Sequence, residues 1–284
     1  MPPGYGTPPG YSLPSGYYAG PDDPLVSADF AGWWRRGFTL LGAVWQPMTM
    51  VQLVWAIPLL AVTIGSLFVA PDYEALNSNA NTITFNDIFA PFLLILPFSL
   101  VAVVLGMVAQ LATLDVLVQR ATGQPVSVGL ALRNGLRRFF PLLGWQILAG
   151  LVAVVGFLFC ILPGIYVALV IMILPPIILL ERGEGISRAF RLFHANFGAA
   201  LGRAATIIGL YIAIALVESF FSSAVNPTGS SGVAVNVFLG LVSTAFTIAT
   251  SIVISPLILT AYADMRARHE PFSTAYLVPQ PYGK

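Results

Sequence analysis

Four polar side chains stand inside or at the ends of long apolar runs: Gln110, Asp115, Glu218 and Asp264. A carboxylate at a bilayer centre costs roughly 2.5–3.5 kcal/mol on insertion scales, and one kept there often serves as a proton or cation site. Glu218 fits that chemistry. It also fits a wetter rim, because Ser219, Ser222 and Ser223 follow it closely. Asp115 and Asp264 precede Arg120 and Arg268 by five and four residues. On a helix that spacing brings opposite charges together, so a structural ion pair is expected for each. Gln110 lies about one turn before Asp115 and extends a polar seam toward the middle of its run.

Other catalytic spacings do not occur. The chain has no G-x-x-x-x-G-K-[ST] loop, no H-E-x-x-H and no cysteine pair. His194 and His269 are its two histidines, both in polar segments, with no Ser/His/Asp arrangement around them. Cys160 is the one cysteine and lies in an apolar run, where it reads as a small buried hydrophobe. A metal hydrolase needs several carboxylates or histidines converging on one ion. No metal, cofactor or catalytic site is therefore expected, and the chain reads as a non-enzyme. Basic residues mixed with aromatics can mark nucleic-acid binding. Between apolar runs they meet lipid phosphates first, and no nucleic-acid partner is expected.

The elements that must position these residues are membrane spans. Of 284 residues, 57% are hydrophobic and 9% charged, against about 25% charged in soluble proteins. A hydrocarbon core of about 30 Å takes roughly 20 apolar residues per helix. Six such runs occur: Met48–Ala70, Phe89–Val118, Leu142–Leu162, Ile165–Leu180, Ala199–Ala224 and Val233–Ala263. Leu162-Pro163-Gly164 reads as a tight hairpin between the third and fourth, and Pro175-Pro176 as a kink in the fourth. Pro58, Pro97 and Pro256 read as further helix breaks, and Gly198-x-x-x-Gly202 as a close-packing face. All thirteen Lys and Arg residues fall in alternate polar segments, while the intervening segments hold only Asp72, Glu74 and Asp87. Cytoplasmic segments carry the Lys/Arg excess, so both termini and the 120–141 and 181–203 segments are expected on the cytoplasmic side of a plasma membrane. Twelve of the thirteen are Arg, which with the Ala, Gly and Val excess is the codon signature of a GC-rich bacterium.

Each basic segment ahead of an odd-numbered span is amphipathic. Ile186, Ala189, Phe190, Phe193 and Phe197 share one face, opposite Arg188 and Arg191. Val128, Leu132, Leu136 and Phe139 share another, opposite Arg133 and Arg137. Phe30, Trp33, Trp34, Phe38 and Leu41 play that part beside Arg35 and Arg36. Such helices lie in the headgroup plane, which makes Arg133, Arg137, Arg188 and Arg191 the expected contacts to lipid phosphate. The expected fold is all-α and polytopic, with six transmembrane helices and three cytoplasmic in-plane helices. The order in-plane helix, span, span occurs three times; true internal repetition and chance likeness of apolar helices both account for it. Residues 1–27, rich in Pro, Gly and Tyr with no signal-peptide pattern, read as a disordered tail. Residues 28–272 form the membrane domain and 273–284 a second tail.

Several motifs resemble a known family. They are Leu162-Pro163-Gly164-Ile165-Tyr166-Val167, Pro175-Pro176-Ile177-Ile178-Leu179-Leu180-Glu181, Ile186-Ser187-Arg188-Ala189-Phe190-Arg191-Leu192 and the stretch from Ala261 to Glu270. Together they resemble the membrane-domain family of glycerophosphoryl diester phosphodiesterases and its stand-alone bacterial relatives, including Pro/Gly-rich actinobacterial membrane proteins. The likeness spans about Asp29 to Phe272, with its strong motifs in the second half. In fused relatives hydrolysis belongs to a separate soluble barrel, for which the dozen residues after Phe272 leave no room. The resemblance implies a membrane module linked to lipid or envelope metabolism, and it transfers no active-site residue. Two functions remain open: an accessory or scaffold that holds lipids or a membrane or peripheral enzyme, and a transporter of a small solute or lipid that uses Gln110, Asp115 and Glu218.

Overall fold

The computed structural model of the chain describes residues 19–69, 85–227 and 232–278. Among these the regular elements are all helical: α1 (Phe30–Val69), α2 (Phe85–Ala121), α3 (Val128–Phe159), α4 (Ile161–Ile171), α5 (Leu174–Leu180), α6 (Ile186–Ala195), α7 (Phe197–Val225), α8 (Val233–His269) and a short 3-10 turn, Thr274–Leu277. Counting α4 and α5 as one span, six helices are long and apolar enough to cross a membrane. The chain is a multi-pass integral membrane protein. Asp72, Glu74 and Lys284 lie outside the described residues.

The basic segments join their spans in different ways. α1 runs through its aromatic, basic start into the span with a bend at Val44, whose backbone (φ −137°, ψ 20°) is not helical. Pro47 explains the bend, because a proline ring clashes with the carbonyl four residues back and removes a hydrogen bond there. α3 is a single 32-residue helix that contains both the basic stretch and the span, with Pro141 inside. Only the third segment is a helix of its own. α6 ends at Asn196 (φ −148°, ψ 80°), whose side chain caps α7 by accepting from the Ala199 N–H.

Several expectations about breaks and packing are corrected. The turn between the third and fourth spans falls at Cys160 (φ −171°, ψ 150°), and Pro163-Gly164 lies inside the first turn of α4. A proline is tolerated in a first turn, where its missing N–H would have no partner anyway. The glycines matter for approach: a Cβ on Gly156 would come 3.1 Å from Gly164 Cα, so the helices of this hairpin touch backbone to backbone. Cys160 is exposed at the tip, not buried. Pro58, Pro97 and Pro256 sit inside continuous helices, as neighbouring groups in a bundle can satisfy the freed carbonyls. Pro175-Pro176 does mark a break, after Met172-Ile173, and the prolines open α5. Gly198 and Gly202 pack against nothing; a Cβ on either would meet open space.

α1 packs against α2 and α8, α2 against α3, α3 against α4, and α7 against α8. The core is concentrated at the basic end, around Leu111, Leu114, Leu117, Ile173, Phe193, Leu259 and Tyr262. α3 reaches this core through Ala131, Gly135, Phe139 and Leu142, while Leu136 from its expected apolar stripe faces outward. A Cβ on Gly135 would lie 2.7 Å from the Val108 carbonyl, so α2 and α3 are in close contact. α6 likewise buries Ala189, Leu192 and Phe193 and leaves Phe197 exposed.

Short stretches outside the helices pack against the bundle at both ends of the described residues. Residues 1–18 lie outside the described residues, but Leu25, Val26 and Ser27 are buried. Asp23 holds this strap in place. Its carboxylate accepts from the Leu25 and Val26 N–H groups at 2.9 Å and from the Thr274 N–H at 2.8 Å. Residues 272–274 are thereby tied down too, with Phe272 and Thr274 buried.

Candidate functional site

Two charge clusters flank the end of α8. In the first, Asp264 Oδ2 accepts from Arg203 at 2.8 Å and from Arg268 at 2.7 Å. Arg203 lies 5.8 Å from the Trp33 ring, and Arg268 also donates to the Ala28 carbonyl. In the second, Glu181 accepts from Arg188 at 2.7 Å and from the Tyr262 hydroxyl at 2.6 Å. Arg188 continues to Glu270 at 2.9 Å, and Arg266 joins Glu270 at 2.5 Å. Arg266 also stacks over Phe272 at 4.4 Å. Burial opposes charge on the Arg188 guanidinium, but its hydrogen bonds with Glu181 and Glu270 outweigh that and push its pKa up. Burial also opposes ionisation of Glu270, and there too the bonds from Arg266 and Arg188 win, holding its carboxyl below the usual range. Both clusters are closed on themselves. They fasten α1, α5, α6, α7 and α8 together and leave no carboxylate free to hold a cation; no group of three metal-ligating side chains occurs among the described residues.

The four sequence-chosen polar residues do not converge. Asp264 is at the basic end in its ion triad. Asp115 is also near that end, but Arg120 is not its partner: Asp115 accepts from Gln119 Nε2 at 2.7 Å and from Asn134 Nδ2 at 3.1 Å. Gln119, buried and reaching back one turn, competes better for the carboxylate than the exposed Arg120. Its own oxygen accepts from the Ser127 N–H at 2.7 Å and so fixes the α2–α3 turn. Glu218 stands toward the far end of α7 and accepts from the Ser243 hydroxyl at 2.6 Å. Gln110 opens onto a cavity between the spans.

That cavity, about 380 Å³, lies between α1, α2, α7 and α8. Its polar lining comes from Gln52, Trp55, Gln110, Tyr211, Thr247, Ser251 and Ser255, and its apolar lining from Val103, Met107, Ile254 and Ile258. Gln52 is the hub: its Nε2 donates to Thr113 and to Ser251, each at 2.8 Å, and its Oε1 accepts from Trp55 Nε1 at 2.5 Å. Gln110 accepts from Gln146 at 3.4 Å. A mostly apolar hollow of a few hundred Å³ with a few placed polar groups is the usual form of a small-molecule site. The lining carries no carboxylate, imidazole, ammonium or guanidinium group, so it can exchange hydrogen bonds with hydroxyl, ester or amide groups. Sequence reasoning missed Gln52, Trp55, Tyr211 and Ser251. Gln52 and Ser251 are 199 residues apart, and a lone Gln or Ser in an apolar run carries little signal by itself.

The arginines expected at lipid phosphate divide. Arg133 and Arg137 are exposed on α3. Arg191 is exposed but paired with Glu184 at 2.8 Å. Arg188 is buried between Glu181 and Glu270, which satisfy it inside the protein.

No family model, curated protein or solved structure matches the chain.

The motifs quoted from the second half of the sequence have a structural place. Glu181, Arg188, Tyr262, Asp264, Arg266, Arg268 and Glu270 make up the two closed charge clusters together with Arg203. They act as fasteners.

Proposed function

We propose that the chain is a non-catalytic lipid-binding component of the bacterial plasma membrane, an accessory or scaffold in lipid or envelope metabolism. The observation that carries this reading is the neutral cleft around Gln52 and Gln110, which lies between membrane-spanning helices. Hydrogen-bonding groups beside an apolar wall suit the glycerol and ester region of a lipid entering sideways. The resemblance in the α4–α6 and α8 motifs points to the same area of metabolism. Orientation follows from the charge distribution, with the Arg-rich end and both termini in the cytoplasm. The experiment is to purify the full chain from native membranes in mild detergent and identify retained lipids by mass spectrometry. One retained lipid class, reduced in Gln110→Leu and Tyr211→Phe, supports the reading. A protein that keeps no lipid beyond the surrounding bilayer composition rejects it.

The transporter reading draws on the same cleft, because α7 is exposed along most of its outer half and packs chiefly on α8. It predicts uptake by reconstituted vesicles that Glu218→Gln abolishes at unchanged abundance. Accumulation of a solute in such vesicles would place this reading first.

A further inference from the structure

We propose a second site, independent of the cleft: a phosphate-ester site at the basic end, where Arg137, Arg138 and Arg182 line one recess. The recess, about 220 Å³, lies between α2, α3 and the end of α5, and its other walls are Asp115, Asn134 and Leu179.

Five other arginines at this end are already paired. Arg188, Arg191, Arg203, Arg266 and Arg268 are all engaged by carboxylates. Arg137, Arg138 and Arg182 have no carboxylate partner among the described residues, although they line one cavity. Like charges gathered without an acceptor repel one another, and the arrangement becomes favourable once an anion enters. The single carboxylate present does not fill that role. Asp115 is turned to the amides of Gln119 and Asn134, whose hydrogen bonds hold it in place at the edge of the recess.

Three guanidiniums against one carboxylate leave two positive charges over. A phosphate monoester carries about −1.5 to −2 at neutral pH, which balances them, whereas a diester carries only one charge. Guanidinium forks bind phosphate oxygens two at a time, so three of them can cover the group from several sides. The recess also has a direction. Leu179, at the end of the α4–α5 span, is its one apolar wall, so an ester chain leaving the phosphate has its apolar contact on that side. Arg133 and Arg191, named from sequence as phosphate contacts, do not line the recess.

The shared chemistry is a phosphate monoester, and the source is either a lipid such as phosphatidic acid or a soluble ester such as glycerol phosphate. The experiment uses the full chain in phosphatidylcholine nanodiscs. Phosphatidic acid is titrated in one arm, phosphatidylglycerol in a second and glycerol phosphate in the bulk solution in a third. One saturable site for phosphatidic acid is expected, at least tenfold tighter than for phosphatidylglycerol, and weakened at least tenfold in R137Q/R182Q. The control R133Q/R191Q keeps wild-type affinity, and R138K, which keeps the charge but loses the fork, falls between. Arg137 and Arg182 are exposed, and unchanged thermal unfolding of their double variant confirms that the fold is intact; if it unfolds, the single variant R182Q is read instead. Saturable binding of glycerol phosphate with the same arginine dependence assigns the site to soluble esters. Wild-type affinity in R137Q/R182Q, equal loss in the control, or binding of neither ligand overturns the proposal. Failure of the cleft to retain lipid leaves this result untouched, because the two sites share no residue.

Discussion

Arg203 at the start of α7 and Asp264 near the end of α8 meet at 2.8 Å with neither side chain open to solvent. Sequence spacing anticipated the Asp264–Arg268 pair on one helix, and the Arg203 contact converts it into a bridge between helices. The same carboxylate oxygen takes both guanidiniums, and Asp264 Oδ1 has no hydrogen-bond partner. The strap before α1 closes the arrangement, since Arg203 reaches the Ser27 carbonyl and Arg268 the Ala28 carbonyl.

Asp264→Ala removes the one carboxylate from two guanidiniums that are 2% and 11% exposed. Breaking a buried pair on one side costs about 3–5 kcal/mol, because the remaining charge is stranded. Arg191→Ala breaks an exposed pair with Glu184 and is expected to cost under about 1 kcal/mol. Thermal unfolding of both variants in detergent compares them directly. Equal midpoints would mean that the triad does not hold α7 to α8.

The Glu181–Arg188–Glu270–Arg266 cluster should respond to acid. The Glu270 carboxyl is held below its ordinary value in the folded state. Its contribution is therefore fully present above the ordinary glutamate value and is lost as pH falls through the lowered folded value. The unfolding midpoint of wild type minus that of Glu270→Gln should shrink steadily over that acidic window and stay constant from there to neutral pH. A difference that grows on acidification would reverse the assignment.

Much of this fold was legible because hydropathy and charge are one-dimensional signals. Six apolar runs and an alternating Arg distribution are read without knowing which helix touches which. Kinks and buried faces were less legible. The bend in α1 falls at Val44, beside Pro47, while Pro58 sits in unbroken helix, and one proline in an apolar run looks like another in sequence. The α3 stripe was displaced because Gly135, not Leu136, is what lets α2 approach. The charge clusters were half legible: i, i+4 spacing finds Asp264–Arg268 but has no means of finding Arg203 or the Glu181–Tyr262 bond. The cleft was illegible because its hub, Gln52, draws partners from α1, α2 and α8.

Cys160 offers a direct check of orientation. It is the only cysteine and is exposed at the α3–α4 tip, at the end opposite the arginines. With the Arg-rich end in the cytoplasm, a membrane-impermeant maleimide should label Cys160 in spheroplasts without lysis. In a Cys160→Ser background, Val126→Cys, on the α2–α3 turn, should label only after the membrane is opened. The reverse pattern would invert the topology while leaving the helix count intact.

Gln52 and Gln110 separate what holds the cleft from what it is for. Gln52 is 1% exposed, and it satisfies Thr113, Ser251 and Trp55 at once. Gln52→Leu leaves the Trp55 N–H without its acceptor and removes a donor from two hydroxyls, which by the cost of stranded buried polar groups is about 1–3 kcal/mol. Thr113 can fall back on the bond it already donates to the Ala109 carbonyl, so the lower part of that range is expected. Gln110 lines the same cavity, but its bond from Gln146 is long at 3.4 Å. Gln110→Leu should therefore leave the unfolding midpoint within about 1 °C of wild type, since a change well under 0.5 kcal/mol shifts Tm little. If the cleft binds a lipid, Gln110→Leu should still lower the amount retained, because the lost amide faced the ligand and not the fold. Stability and retention measured together on both variants decide the matter. Loss of stability in Gln110→Leu would make the seam purely structural, and unchanged retention in both would leave the cleft without a ligand role.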